Sequence, residues 1–276
     1  MARYLRSAVV VGLCAAMSAC AGAPGDGADA SATAGPMTMA MAWKQTAAEY
    51  DALYLQGFNV ARMHVDRARR DGRRRLAVLA DLDDTVLDVR PYWAHLAAQG
   101  KTLFDDAVWD QWVASNAVKA TPGAIEFLKF CRGIGVEVFY ITNRDQGEKT
   151  LDLVLTSLRT LGMPYADAEH VTVIRESSDK EPRQRQLSQS HDVVVMLGDN
   201  LNDFRRAYYV TDVAARRARL EMDRNEFGRR FILFPNPTDG HWIRAITGDS
   251  EPPPTAETWE KLVGAARTGG GKIPPD

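Results

Sequence analysis

The ten residues Leu76-Ala77-Val78-Leu79-Ala80-Asp81-Leu82-Asp83-Asp84-Thr85 constrain the fold of this chain more than any other stretch. A short run of Leu, Val and Ala, preceded by Arg73-Arg74-Arg75, ends abruptly in three carboxylates. Unbroken apolarity over so few residues predicts a strand buried on both faces, as in a parallel sheet. Asp81 and Asp83 stand two residues apart, so extended backbone would project both side chains the same way from the strand's carboxyl end. That edge is where open α/β sheets bind ligands. Carboxylates so crowded repel one another and need a cation or a shared proton. Two plainer readings stay open on this stretch alone, a solvated loop and a structural calcium loop.

The remainder of the chain alternates helical and strand patterns. Tyr50, Leu53, Tyr54, Phe58, Ala61 and Val65 recur at three- and four-residue spacings, predicting a helix over about 43–70 that closes at Asp71-Gly72. Thr121-Pro122-Gly123 opens a helix to about 132, followed by a strand over 136–141 that ends in Thr142-Asn143-Arg144. A helix over 146–161, a strand over 171–174 and a helix over 180–189 lead to a strand over 193–197, which runs into Gly198-Asp199-Asn200-Leu201-Asn202-Asp203. A last strand, 231–234, is closed by Pro235-Asn236-Pro237. This alternation predicts an α/β fold, a three-layer Rossmann-like parallel sheet with an N-terminal helix. The irregular, aromatic segment 86–121 holds Tyr92, Trp93, Phe104, Trp109 and Trp112, and directly follows the first strand. It is placed to form a small, mostly helical cap over the active edge. A Pro/Gly-rich tail, 249–276, carries one helical candidate at 256–266.

Residues 1–20 read as a secretory signal, with two arginines and then a short apolar core. The core ends in Met17-Ser18-Ala19-Cys20, similar to a lipoprotein cleavage box, which would make Cys20 the lipidated first residue of the mature chain; ordinary cleavage nearby is the alternative. Ala21 rather than Asp after the cysteine favours, by likeness to other lipoproteins, an outer-membrane anchor facing periplasm or surface. Residues 21–41, rich in Gly, Ala, Pro, Ser and Thr, read as a flexible tether. The net charge of −2 over 276 residues gives no electrostatic footprint for a nucleic-acid polymer. The basic run from Arg67 to Arg75 is read as a solvated helix end. Cys131 sits in an apolar helical stretch as a small buried hydrophobe.

Three strand ends thus carry polar clusters, and Lys180 at a helix start adds a cation. The set suits phosphoryl transfer, which requires positioning and charge neutralisation. Asp81 and Asp199 would supply oxygen ligands to Mg²⁺. Asp81 would attack phosphorus to give an aspartyl phosphate, and Asp83 would protonate the leaving oxygen and later deprotonate water. Thr142 and nearby backbone N–H groups would hold phosphoryl oxygens, with Asn143 and Arg144 as substrate-binding candidates. Lys180, with Arg183 as alternative, would offset the charge of Asp81. Trp109 and Trp112 are divided between cap packing and ligand stacking. His170, His191 and His241 are read as surface or core residues, and no His/Cys metal cluster is visible.

Asp81-Leu82-Asp83-Asp84-Thr85, Thr142, Lys180 and Gly198-Asp199-Asn200-Leu201-Asn202-Asp203 resemble the four motifs of the haloacid dehalogenase superfamily. The chain is most similar to its class C bacterial acid phosphatases, the lipoprotein 5′-nucleotidase group. Ala42-Trp43-Lys44-Gln45-Thr46, Glu49-Tyr50, Phe58-Asn59-Val60-Ala61, Trp109-Asp110-Gln111-Trp112-Val113, Pro122-Gly123-Ala124 and the stretch from Phe231 to Asn236 carry that likeness. It implies a phosphatase domain over 42–248 and a Mg²⁺-dependent acid phosphatase acting on small phosphomonoesters, nucleoside 5′-monophosphates above all. It implies Asp81 as nucleophile, Asp83 as acid/base, and a metal held by Asp81, the Asp83 backbone carbonyl and Asp199, with Asp203 in support. Trp109 matches a base-stacking position. One departure stands out: relatives usually carry Tyr before the Gly where this chain has Asp239-Gly240-His241-Trp242. That puts base stacking, worth about 1–3 kcal/mol per base, in doubt. A haem- or apolar-ligand-binding surface lipoprotein and a phosphotransferase are the rival functions, and a homo-oligomer is left open.

Overall fold

The computed structural model describes residues 37–268. The signal 1–20, Cys20 and the tether up to residue 36 lie outside the described residues, as do residues 269–276. In chain order the elements are α1 (Thr38–Thr46), α2 (Ala48–Arg70), β1 (Leu76–Ala80), β2 (Leu87–Asp88), α3 (Arg90–Ala98), α4 (Asp106–Ser115), β3 (Lys119–Ala120), α5 (Ala124–Gly133) and β4 (Glu137–Thr142). They continue with α6 (Thr150–Thr160), β5 (Val171–Val173), α7 (Glu181–Ser190), β6 (Asp192–Gly198), α8 (Val213–Asp223), β7 (Phe231–Leu233), α9 (His241–Thr247) and α10 (Ala256–Ala266).

β1 is the middle strand of a parallel sheet in the order β5-β4-β1-β6-β7. Its alternate residues feed opposite layers, as the two-residue strand period demands. Leu76, Val78 and Ala80 pack with Phe58, Ala61 and Val65 of α2 and Leu128 of α5. Ala77 and Leu79 pack with Leu187 of α7 and Phe204 on the other side. The three-layer architecture follows from a strand that is apolar at every position. The aromatic insertion leaves the sheet at β2 and returns at β3, which pair antiparallel. Thr121 fastens this stem, its N–H donating to the Val86 carbonyl at 3.1 Å and its hydroxyl to the Thr85 carbonyl at 2.8 Å. Between the stem strands, α3 and α4 form the helical cap. Asp105 starts α4 by accepting the Val108 N–H at 3.1 Å.

Four boundaries differ from the sequence pattern. The tether expected over 21–41 gives way to α1 at Thr38, because Met37 and Met41 are buried in the core. The helix expected over 43–70 is two helices, since Ala47 is extended (φ −77°, ψ 124°). The helix expected from 146 starts at Thr150, whose hydroxyl accepts the Gln146 N–H and donates to the Gly147 carbonyl, both at 2.7 Å, and so holds residues 146–149 in a loop. The tail is partly built in: α10 forms where expected, and Pro252 and Thr258 are buried.

The break at Ala47 lets Lys44 of α1 point inward, where it is fully buried. Its ammonium bonds the Asp84 carboxylate and donates to the Thr238 hydroxyl at 2.9 Å. Tyr50 also donates to Asp84, at 3.3 Å, and Tyr54 donates to the Asp84 carbonyl. Asp84 adopts the left-handed conformation (φ 52°), which Asp tolerates better than most residues. Burial pushes its carboxyl up to about 6 despite the Lys44 charge. The third carboxylate of the opening stretch is therefore a structural residue that pins the loop after β1. Removing one partner of such a pair leaves an uncompensated buried charge, costing about 3–5 kcal/mol. Lys44→Met should lose stability of that order in urea unfolding, and Lys44→Met/Asp84→Asn should recover part of it.

Candidate active site

The carboxyl ends of β1, β4, β6 and β7 converge on a cavity of about 370 Å³ roofed by the cap. A larger concavity, about 710 Å³, lies at the amino edge of the sheet among Arg67, Arg73, Arg229 and Arg230, and holds none of these groups. The exit of β1 delivers Asp81 and Asp83, that of β4 delivers Thr142, Asn143 and Arg144, and that of β6 delivers Asp199 and Asp203. Lys180 enters immediately before α7.

Asp81, Asp199 and Asp203 each present a carboxylate oxygen, and the three oxygens lie within 4.8 Å of one another. Lys180, 5% exposed, bonds Asp81 and donates to Asp203 at 2.8 Å. Asp199 accepts the Asn236 amide at 2.7 Å and the Thr85 hydroxyl at 3.4 Å. Asp203 folds back to accept the Asn200 N–H at 2.9 Å. The close turn depends on Gly198, where a Cβ would stand 2.5 Å from the Asp203 Cβ. Burial pushes the Asp81 and Asp199 carboxyls up, and the neighbouring Asp203 charge adds to this; Lys180 pulls Asp81 the other way. Lys180 is itself raised, because the two carboxylates outweigh the cost of burying its charge. Three carboxylates against one ammonium leave a deficit of positive charge. Hard oxygen donors at this spacing fit a divalent cation.

Asp83 lies outside that triad. Arg144 grips its carboxylate with a two-pronged hydrogen bond, at 2.8 and 2.5 Å. The Arg144 guanidinium in turn lies 5.3 Å from the Trp109 ring centre, so this expected substrate-binding residue is committed to Asp83 and the cap. Asn143 borders the cavity but spends its amide on the Ile174 and Ser177 carbonyls, at 3.2 and 2.8 Å, tying down the loop that carries Lys180. Thr142 is buried on the cavity wall and accepts the Arg144 N–H at 3.2 Å. Arg183 bonds Thr172 and Gln186 away from the cavity, which leaves Lys180 as the cation at the carboxylates. Trp109 lines the cavity, stacked on Trp112 (5.1 Å, 28°) and edge-on to Tyr92.

Five wall residues were not among the expected site residues: Asp106, Asn236, Asp239, His241 and Glu251. Of these, Asn236 carried a sequence signal, standing between two prolines at the end of a strand that exits on the same edge, and Asp239 stood where relatives usually carry Tyr. His241 packs edge-on against Tyr209 at 5.0 Å, and its Nδ1 is buried without a partner. Burial pushes its imidazole down to about 4, helped by Arg216, Lys180 and Arg206 and opposed by Asp203.

A family model described as HAD superfamily, subfamily IIIB (acid phosphatase), matches residues 28–242. Among solved structures, the class C acid phosphatase from Bacillus anthracis with tungstate bound is 35% identical, with a TM-score of 0.76; the match covers 83% of this chain and 95% of that one. A second structure of the class C acid phosphatase from Bacillus anthracis gives 34% identity and a TM-score of 0.76, over 86% and 98% of the two chains.

The depressed imidazole fixes a sign for pH dependence. A group whose folded value lies below its unfolded value contributes stability above the unfolded value, and that contribution is lost as pH falls through the folded value. His241 should therefore cost the fold up to about 3 kcal/mol between pH 6.5 and 4. His241→Gln should flatten the pH dependence of urea unfolding across that window.

Proposed function

The chain belongs to the subfamily IIIB acid phosphatases of the HAD superfamily and is a phosphomonoesterase; we propose that it hydrolyses small phosphomonoesters, nucleoside 5′-monophosphates among them, through an aspartyl phosphate on Asp81, with Mg²⁺ at the carboxylates. The observation that carries this reading is the placement of Asp81 at the end of the central strand, bonded to Lys180 and within reach of Asp199 and Asp203. Asp81, Asp199 and Asp203, with the Asp83 backbone carbonyl, would hold the metal, which when bound supplies positive charge to the phosphoryl oxygens.

One Asp81 oxygen attacks phosphorus as the ester P–O bond breaks. Asp83 gives its proton to the departing oxygen, and the alcohol leaves. Asp83 then takes a proton from water, the water oxygen attacks the phosphoryl group, and phosphate and free Asp81 result. The Arg144 fork fixes the direction in which Asp83 points during both transfers. Thr142 lines the wall where phosphoryl oxygens would sit, and Lys180 offsets the charge that accumulates on Asp81 and phosphate. Trp109 offers its cavity face to a base. The apolar-ligand reading is not favoured, because the floor of the cavity is carboxylate and the cap rings pack on one another. Cys20, lipidated, would anchor the protein in the outer membrane; among the described residues no helix is long and apolar enough to cross a bilayer.

Hydrolysis of p-nitrophenyl phosphate and 5′-AMP should require Mg²⁺, disappear on chelation and return on readdition. Asp81→Asn should lower kcat by at least about 10³-fold, as removal of a covalent nucleophile does; undiminished activity would overturn the mechanism.

A further inference from the structure

The amino edge of the sheet, at the far end of the strands from the catalytic cavity, gathers charge of the opposite sign. Arg67 and Arg73 flank the end of α2, and Arg229 and Arg230 arrive from the turn before β7; together they surround the concavity of about 710 Å³. His64 of α2 donates to the Gly228 carbonyl at 2.9 Å, which holds that turn against the helix. Two carboxylates share the wall. Asp192 accepts both prongs of Arg73, and Asp71 lies 3.8 Å from Arg67. Arg229 and Arg230 are exposed and have no carboxylate partner among the described residues. The same holds for Arg69, Arg70, Arg74 and Arg75, exposed beside the concavity.

Arginines in a last helical turn complement the helix dipole, which accounts for Arg67, Arg69 and Arg70. It does not account for Arg74 and Arg75, or for Arg229 and Arg230, which precede strands. Arg75 moreover holds a left-handed backbone (φ 52°), where glycine would be unstrained. The whole chain carries a charge of only −2, so a face this basic must be matched by an acidic one. The acidic face is the catalytic edge, with Asp81, Asp83, Asp199 and Asp203. A negatively charged surface therefore attracts the amino edge in preference to the catalytic one. The apolar wall of the concavity is limited to the short side chains of Ala68, Val193 and Val194, so contact there is ionic.

We propose that this face docks on the phosphate headgroups of an anionic bilayer, with Arg229, Arg230 and the arginines around the end of α2 as the contact. Clusters of about four to eight basic residues bind such surfaces, each residue strengthening binding about fivefold. A patch that extends beyond the concavity over an exposed rim fits a surface bearing many phosphates better than one small anion. Docking turns the catalytic cavity away from the membrane, toward phosphomonoesters that arrive by diffusion. The reach of the chain permits this with Cys20 lipidated as proposed above. Residues 21–36 can span at most about 55 Å. The 23-residue α2, which runs from Tyr50 and Tyr54 at the catalytic edge to Arg67 at the basic face, is about 35 Å long.

The test uses the chain without residues 1–20, which keeps every described residue and lacks the anchor cysteine, with turnover of p-nitrophenyl phosphate as the check on its fold. It is sedimented with vesicles of phosphatidylcholine alone and of phosphatidylcholine mixed with phosphatidylglycerol. The expected result is binding at least about tenfold tighter to the mixed vesicles, lost as salt is raised, with kcat/KM unchanged on the vesicle. Arg229→Gln with Arg230→Gln should weaken that binding roughly 25-fold and leave turnover in solution unchanged. Arg69→Gln with Arg70→Gln gives a second reading if the first pair disturbs β7. Lys149→Gln, an exposed charge at the catalytic edge, should have no effect on vesicle binding. Equal binding to the two kinds of vesicle, or binding that neither arginine pair alters, overturns the docking. Tripolyphosphate bound while the vesicles are not would assign the concavity to a soluble anion and overturn it as well. Loss of turnover on the vesicle would overturn the orientation.

Discussion

Two buried ammonium groups hold the loop that follows the central strand. Lys180 reaches Asp81 from one side and Lys44 reaches Asp84 from the other, three residues along. Each lies in a position where an isolated charge would be prohibitively costly, so each exists only because a carboxylate meets it. The two pairs have opposite consequences. Lys44 and Asp84 form a matched pair, enclosed by Tyr50, Tyr54 and Thr238, with hydrogen bonds to spare. Lys180 faces Asp81 and Asp203 together, with Asp199 alongside, and cannot balance them. The same short loop is thus anchored where its charge is satisfied and, where its charge is in excess, suited to receive a cation.

That division explains the backbone around it. The left-handed Asp84 turns the chain so that Asp83 and Asp84 meet different partners, Asp83 part-exposed and held by Arg144, Asp84 buried and held by Lys44 and Tyr50 of α1 and α2. Gly198 permits Asp203 to fold back against the end of β6, so that the third carboxylate joins the first two. Thr85 serves both sides: its carbonyl accepts from Thr121 at the stem of the cap, and its hydroxyl donates to Asp199. The cap is therefore attached at the residue that touches the carboxylate cluster, which places the aromatic insertion over the site rather than beside it.

Much of this was legible in the residues. Strand β1, with no polar position, could only be internal, and the polar clusters after β4 and β6 fell on the same edge because parallel strands share a direction. Asp81 and Asp199 could be brought together on that ground, whereas Lys180, at a helix start, had Arg183 as its rival. What the pattern did not yield was long-range pairing of charges. Nothing local distinguishes Lys44, on a helix, from a solvated lysine, because its partner lies 40 residues away and only the break at Ala47 turns it inward. Arg144 was read as a substrate-binding residue, and its grip on Asp83 stayed hidden for the same reason: a guanidinium at an active edge is ambiguous until the carboxylate it grips is seen. Glu251 comes from the stretch after 248, where Pro- and Gly-rich composition suggested a tail and concealed that it lines the cavity.

The commitment of Arg144 links the cap to Asp83, the proton carrier of the proposed mechanism. Its guanidinium is buried between the Trp109 ring and the Asp83 carboxylate, so the three groups cannot move independently. A ligand that displaces Trp109 must also disturb the surface on which Arg144 rests, and through it the orientation of Asp83. Trp109 is in turn wedged between Trp112 and Tyr92, whose hydroxyl accepts the Asp105 N–H at 2.9 Å where α4 begins. Rigid packing of this kind has discrete alternatives rather than continuous ones. On the proposed mechanism the leaving group would be sensed twice, by the cap rings and by the carboxylate that donates to it, and the geometry of the cap would be part of the geometry of proton transfer.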